Sequence, residues 1–298
     1  MTSPSATAPQ PRRHSTAWYE SMYNNRAMVP DFADHFARWD SASQAVRSQV
    51  ACTLDVAYGP GVNESLDIFP ATQPHAPVVV FIHGGYWRSL DKSDHSFVAP
   101  ALQAMGACMV IVNYALCPST QGQTVTVPDI ALQMTRALAW TYHHIAAHGG
   151  DPTRITLAGH SAGGHLAAML LATDWKKVDA QLPVHLVRKA LSISGLYDLS
   201  PIRKAPFIQN SLHLTSKQVR QTSPALWASP RQRTLYTLVG AQESAEFVRQ
   251  NQLIQQSWGA RTVPVCEALP GCNHFSVLSE LTRSGSRLND LMRQLIAL

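Results

Sequence analysis

A chain of 298 residues can bury one large α/β core with an appendage, or two smaller domains, and its make-up of 45% hydrophobic and 14% charged residues is that of a compact, soluble globular protein. No apolar run is long enough to cross a bilayer as a helix, which excludes a helical membrane protein. The net charge of +5 comes from scattered basic residues whose densest groups are Arg12-Arg13 and Lys176-Lys177, so no nucleic-acid partner is expected, although a mildly positive field favours an anionic small substrate.

In chain order, residues 1–15 have no apolar stretch after their charges, so no secretory signal is expected and the segment reads as a disordered tail. Residues 16–50 are rich in aromatic side chains without a clean period and are expected to pack on the body as an N-terminal cap. From residue 51 to 298, hydrophobic runs alternate with helical patterns, predicting a mostly parallel sheet with helices on both faces, the α/β class. VACTLDVAYG and ESLDIF, joined by Gly59-Pro60-Gly61, read as an opening hairpin. APVVVFIHGG and ACMVIVNYAL read as buried strands.

Between Pro128 and His148 the positions Ile130, Met134, Leu138, Thr141 and Ile145 recur every three or four residues and Gly149-Gly150 follow, predicting one crossover helix. RITLAG is then a strand, SAGGHLAAMLLAT a helix, KALSISGLY, RTLYTLVG and TVPVCEAL further strands, and a single helix is expected from there to Leu298. Residues 200–230, dense in Ser, Thr, Pro and Gln, read as an irregular insertion.

The stretch LAGHSAGG lies at the junction of the RITLAG strand and its helix. A tight strand-to-helix turn forces Ser161 into strained backbone angles and leaves room only for small neighbours, here Gly159, Ala162, Gly163 and Gly164. The serine hydroxyl is thereby raised above the sheet beside the positive end of a helix. An isolated motif of this kind is equally well a structural turn. HGGYW at 83–87 adds a glycine-rich turn whose backbone N–H groups, those of Gly85 and Tyr86 with Gly84 permitting the bend, join that of Ala162 as candidate donors to an oxyanion. Past the RTLYTLVG strand stands Glu243, a candidate orienting carboxylate; Asp198, after the preceding strand, is its rival, and Glu246 reads as a solvated helix residue. His274 is the only histidine downstream of Gly240 and the candidate general base.

His144 and His148 stand one helical turn apart, but no third ligand is placed beside them, so neither a metal nor any other cofactor is expected. Tyr86, Trp87, Tyr19, Tyr23, Trp39 and His160 are candidates to line a substrate pocket. Five widely spaced cysteines, Cys52, Cys108, Cys117, Cys266 and Cys272, read as reduced thiols of a cytoplasmic protein. The expected partner is a small-molecule substrate, and the sequence does not specify whether the chain self-associates.

Taken together, HGGYWRSLDKSDHS, NYALCP, GHSAGG, SGLYDLSPI, Ser223-Pro224, VGAQESAEFVRQ and LPGCNHFS resemble the kynurenine formamidase (arylformamidase) branch of the α/β-hydrolase superfamily, which is related to the hormone-sensitive-lipase-like esterases. The resemblance runs from about Tyr23, in YNNR, to the C-terminus. It implies Ser161 as nucleophile, Glu243 as acid, His274 as base and HGGYW as oxyanion loop, acting without a cofactor on an N-formyl arylamide; a carboxylesterase of short acyl or aryl esters is the alternative, and a non-catalytic small-molecule-binding protein of the same fold the remote one. HGGYW is the distinguishing piece of the resemblance, with Tyr86 where the wider esterase branch has a third glycine; the chief departure is Glu243, which stands where the animal formamidases have aspartate.

Overall fold

The computed structural model describes residues 14–297. Of the tail expected over residues 1–15, only His14 and Ser15 fall within the described residues. Ser15 caps the first helix, its Oγ accepting from Trp18 N at 3.2 Å. Three helices follow: α1 (Thr16–Tyr23), α2 (Asn25–Met28) and α3 (Phe32–Gln49). The strands β1 (Thr53–Ala57), β2 (Ser65–Phe69), β3 (Ala76–Ile82) and β4 (Cys108–Val112) come next, with a 3₁₀ turn (Lys92–Val98) and α4 (Ala99–Gln103) between β3 and β4.

A two-residue-per-strand hairpin, β5 (Ser119–Thr120) and β6 (Gln123–Thr124), leads into α5 (Val127–His144), and then β7 (Gly150–His160), α6 (Ala162–Leu171), α7 (Trp175–Val178) and β8 (Val187–Ile193). The last third holds α8 (Pro206–Leu212), α9 (Ser216–Gln221), β9 (Thr234–Gly240), α10 (Ala245–Trp258), β10 (Val265–Leu269), α11 (Ser276–Thr282) and α12 (Arg287–Ala297).

Eight strands form one sheet in the order β1-β2-β4-β3-β7-β8-β9-β10. β1 and β2 run antiparallel to their neighbours, and every pair from β4 to β10 is parallel. This is the α/β-hydrolase fold. Its central strands are apolar at successive positions because both faces are covered: Val78, Val80 and Ile82 of β3 join the cluster under α5, α6 and α10, while Val79 and Phe81 join the one under α4, α11 and α12. The chain steps from β3 to β4 on one side and returns through α5 to β7 on the other, so the ends of β3 and β7 flank the switch point where such sheets place their ligands.

Local chemistry explains several element ends. A capping box of Thr126 and Asp129 with Pro128 in the first turn starts α5, and Gly149 at φ +81° ends the 3₁₀ turn that follows it. The strand expected through Tyr197 stops at Ile193, because Ser194 adopts φ +52° and turns its N–H to Leu238 O at 2.7 Å. The single C-terminal helix expected is two, parted at Gly285, φ +75°, with Ser286 Oγ donating to Glu280 O.

The segment over 16–50 is helical and lies on the body. The buried face of α3 is His35, Trp39 and Ser43, and one further turn on Arg47 pairs with the fully buried Asp67 of β2. Lys92 reaches the same carboxylate at 2.9 Å, tying α3, β2 and the loop after β3 into one charge cluster. Among the described residues no helix is long and apolar enough to cross a membrane.

Candidate active site

β7 ends at His160, and Ser161 follows with φ +56° and ψ −117°, a conformation that side-chain-bearing residues rarely adopt. The reason for the surrounding glycines is steric. A Cβ on Gly163 would stand 1.9 Å from Ile82 O, and one on Gly159 would stand 2.3 Å from Gly163 O, so α6 can leave the sheet this closely only with hydrogen at both places. Ser161 N donates to Ile193 O at 2.8 Å, which fixes the turn to the neighbouring strand. Ala162 opens α6, where the first N–H groups have no partner inside the helix.

β9 and β10 are adjacent and parallel, and their trailing loops carry the other two candidates. Gly240 lets them touch: a Cβ there would meet Cys272 O at 2.4 Å. Across that contact His274 Nδ1 lies 2.6 Å from Glu243 Oε2, and His274 Nε2 lies 3.1 Å from Ser161 Oγ. All three groups are shielded, with Ser161 2% exposed and His274 4%. The other carboxylate oxygen of Glu243 accepts from Ser194 Oγ at 2.5 Å and from Gly240 N at 2.8 Å, which leaves Oε2 aimed at the imidazole. An imidazole so held can take a proton from the serine hydroxyl while its far side faces a fixed negative charge.

Asp198 and Glu246 are occupied elsewhere. Asp198 accepts from Ser200 N, and Glu246, read from the sequence as a solvated helix residue, is buried and bonded to Tyr23 and Arg249. His160 donates from Nε2 to the carbonyl of His274 at 2.8 Å, bracing the loop that carries it. Complete burial, reinforced by the neighbouring His274, pushes the His160 pKa well down, so His160 is a neutral donor.

After β3, Gly85, Tyr86 and Trp87 take φ of +99°, +52° and +56° in succession. Gly85 is required by space as well as by angle, since a Cβ would fall 2.0 Å from Ser89 O. The Tyr114 hydroxyl lies 3.0 Å from both His83 O and Gly84 O and clamps the base of the loop. Among the described residues the N–H groups of Gly85 and Tyr86 have no acceptor, which leaves them free to donate to a ligand. Tyr86 stands where a glycine would serve the turn, and its side chain adds a contact that glycine could not make. Its hydroxyl donates to Tyr23 O at 2.6 Å and pins the loop to α1.

A cavity of about 180 Å³ opens onto Ser161 and His274. Trp39, His160 and Tyr86 line it, as the sequence suggested for all three. Trp87, Tyr19 and Tyr23 do not. Trp87 is fully buried with its ring edge-on to His165 at 4.9 Å, Tyr23 is buried against Phe247 with its hydroxyl on Glu246, and Tyr19 lies under Lys204, 5.0 Å from the ring centre. Their places are taken by Phe36, Phe207, Phe275, Arg26 and Arg88; Arg26, Arg88 and Phe275 lie in the YNNR, HGGYWRSLDKSDHS and LPGCNHFS motifs, but nothing in the sequence assigns any of the five to the pocket. Ser194 was missed in the same way; it sits in the SISG run, and only the positive φ that ends β8 turns its hydroxyl toward Glu243. Among the described residues no three His, Cys, Asp or Glu side chains gather as a metal site requires.

Known proteins carry the same outline. A kynurenine formamidase of Danio rerio is 29% identical over 270 residues, 88% of each chain. Esterase LipQ of Mycobacterium tuberculosis is 29% identical over 80% of this chain and 60% of its own length. A crystal structure from Silicibacter sp. tm1040, provisionally described as a thioesterase, superposes with a TM-score of 0.79 at 26% identity, covering 94% of this chain and 98% of that one. Residues 66–264 match the BD-FAE family. The chain therefore belongs to the BD-FAE family, within the kynurenine-formamidase-like branch of the α/β-hydrolases, and is a hydrolase.

Proposed function

We propose that the chain is a serine hydrolase of small N-formyl arylamides, with Ser161 as nucleophile, His274 as general base and Glu243 as the group that orients the imidazole. The observation that carries this reading is the run of two hydrogen-bond contacts, 3.1 Å from Ser161 Oγ to His274 Nε2 and 2.6 Å from His274 Nδ1 to Glu243 Oε2. Ser161 Oγ attacks the formyl carbon as its proton passes to His274. The charge that develops on the formyl oxygen is received by the N–H groups of Gly85, Tyr86 and Ala162. His274 then returns the proton to the departing arylamine nitrogen, leaving a formyl ester on Ser161. Water, deprotonated by the same imidazole, attacks that ester and releases formate and free Ser161.

The choice of a formamide rests on the formamidase relatives and on the aromatic lining of the cavity. A carboxylesterase acting on short acyl or aryl esters is the second reading, favoured by the likeness to an esterase and to a structure provisionally described as a thioesterase. Both reactions pass through the same tetrahedral geometry, so substrate comparison separates them. The expected result is a kcat/KM for N-formyl-kynurenine above that for a short-chain p-nitrophenyl ester, with formate released in step. Turnover of the ester with the amide untouched would leave the esterase reading standing and end the formamidase one. Ser161→Ala should abolish both and remove labelling by a fluorophosphonate.

A further inference from the structure

Among the described residues, two arginines line the cavity over Ser161 and no carboxylate does. Arg26 closes the last turn of α2, and Arg88 follows directly on the candidate oxyanion loop. Each is held by uncharged partners. Arg26 donates to Ser89 Oγ at 3.2 Å and lies 5.3 Å from the Phe36 ring centre; Arg88 donates to Phe207 O and to Ser211 Oγ, the latter at 2.9 Å, and lies 5.5 Å from the Phe207 ring centre.

Neither has an acidic side chain within ion-pair reach among the described residues, whereas Arg47, Arg136, Arg249, Arg283 and Arg287 each have one. The two guanidiniums sense each other. Partial desolvation at the cavity mouth first, and the charge of Arg88 second, lower the pKa of Arg26, whose side chain stays exposed. Two like charges facing one cavity without a counterion repel, and an anion bound between them removes that cost. Planar guanidinium forks match a carboxylate in particular, and the rings beneath them accept an aromatic body.

We propose that Arg26 and Arg88 are the specificity element of this site and bind a free carboxylate on the leaving-group side of the substrate. The assignment rests on the proposed attack by Ser161. A formyl group has no room for a second function, so the anion must belong to the amine half. The preferred substrates are then aryl amides or esters whose aromatic leaving group bears a carboxylate, and neutral aryl analogues are poor ones.

The test uses two matched pairs on the full chain: N-formyl-kynurenine with its carboxamide, and 4-acetoxyphenylacetate with its carboxamide. The expected wild-type preference for the acid is tenfold or more in kcat/KM. Arg26→Gln and Arg88→Gln should each collapse that ratio by tenfold or more, chiefly through a raised KM for the acid. Arg88 also holds α8 through Phe207 and Ser211, so where Arg88→Gln fails to fold, Arg26→Gln, on an exposed side chain, decides.

A wild-type ratio near one on both pairs, or a ratio that Arg26→Gln leaves unchanged, overturns the proposal. Hydrolysis of both formamides without preference ends the arginine assignment and keeps the formamidase reading. An arginine-dependent ratio on the ester pair alone, with both formamides untouched, does the reverse.

Discussion

The turn around Ser161 and the α1–α3 segment contribute to one cavity, yet their sequences carry structure in different ways. In the turn, residue identity is set by atoms about one bond length too close for anything else: Ile82 O against Gly163, Gly163 O against Gly159. Such constraints are local and leave a pattern in the chain. The α1–α3 segment is held by polar contacts made far along the sequence, Tyr23 to Glu246, Met22 O to Ser244 and Asn25 to Tyr86. The candidate nucleophile thus rests on backbone stereochemistry, while the cavity-lining groups of α1–α3 rest on long-range pairing.

The largest expected effect tests the local half. If Glu243 orients His274, Glu243→Ala lowers kcat/KM by about 10³–10⁴-fold, roughly 4–5.5 kcal/mol of transition-state stabilisation, while Asp198→Ala costs less than about tenfold. Steady-state kinetics on both variants separates them, and equal losses would remove Glu243 from its assigned place. Gly163→Ala comes next. Its Cβ would stand 1.9 Å from Ile82 O, backbone that no side-chain rotation relieves, so the variant should lose about 3 kcal/mol or more of stability and most of its fluorophosphonate reactivity. A variant that melts with the wild type and labels at the same rate would show that the turn can relax after all.

These constraints explain what was legible in the sequence. The parallel sheet showed as alternating apolar runs, because β3, β4 and β7 are buried on both faces, and the glycine-flanked turns at 83–87 and 159–164 showed because space admits nothing else. His274 emerged from chain order alone. The pocket stayed hidden for a physical reason: the buried stripe of α3 is His35, Trp39 and Ser43, whose side chains do not register as an apolar period, and Arg26, Arg88 and Phe207 meet only in three dimensions. Trp87 misled because an aromatic residue beside a glycine turn suggests a pocket wall, whereas its positive φ sends the ring into the core beside His165. Ser194 and Gly285 end elements that hydrophobicity alone would have continued.

Protonation offers a test that spans both halves. Burial lowers the pKa of His95 to about 3 and of His165 to about 4, and it lowers those of His83 and His160 as well. The unfolded chain, with histidine near 6.5, binds protons that these folded groups refuse, so stability is full above about pH 6.5 and falls as pH drops toward the folded values, by up to about 1.4 kcal/mol per pH unit for each group. Tm should decline steadily from pH 7 to 4.5, and long-range ¹⁵N–¹H NMR at pH 5 should find His95, His160 and His165 neutral. His95 packs on Trp39 of α3, while His165 of α6 packs on Trp87 and His160 immediately precedes Ser161, so protonation confined to His95 would mark the α3 side as the softer half.

The smallest expected effect concerns the tether between the halves. Tyr23 donates its hydroxyl to Glu246 Oε2 at 2.6 Å and accepts from Gln250 at 3.3 Å, and burial with the adjacent carboxylate pushes the phenol pKa up, so the group is a neutral donor. Removing the oxygen in Tyr23→Phe orphans neither partner: Glu246 keeps two bonds from Arg249, at 2.7 and 2.9 Å, and Gln250 keeps Asp198 O at 2.7 Å. The loss should be that of one satisfied hydrogen bond, about 1–1.5 kcal/mol, read as a fall in Tm of about 2–5 °C. The backbone carbonyl of Tyr23 still receives the Tyr86 hydroxyl, so kcat/KM should change by less than about threefold. A drop in kcat of tenfold or more at unchanged Tm would mean instead that the α1 contact sets the angle of the Gly85–Tyr86 donors, and that the long-range half reaches into the local one.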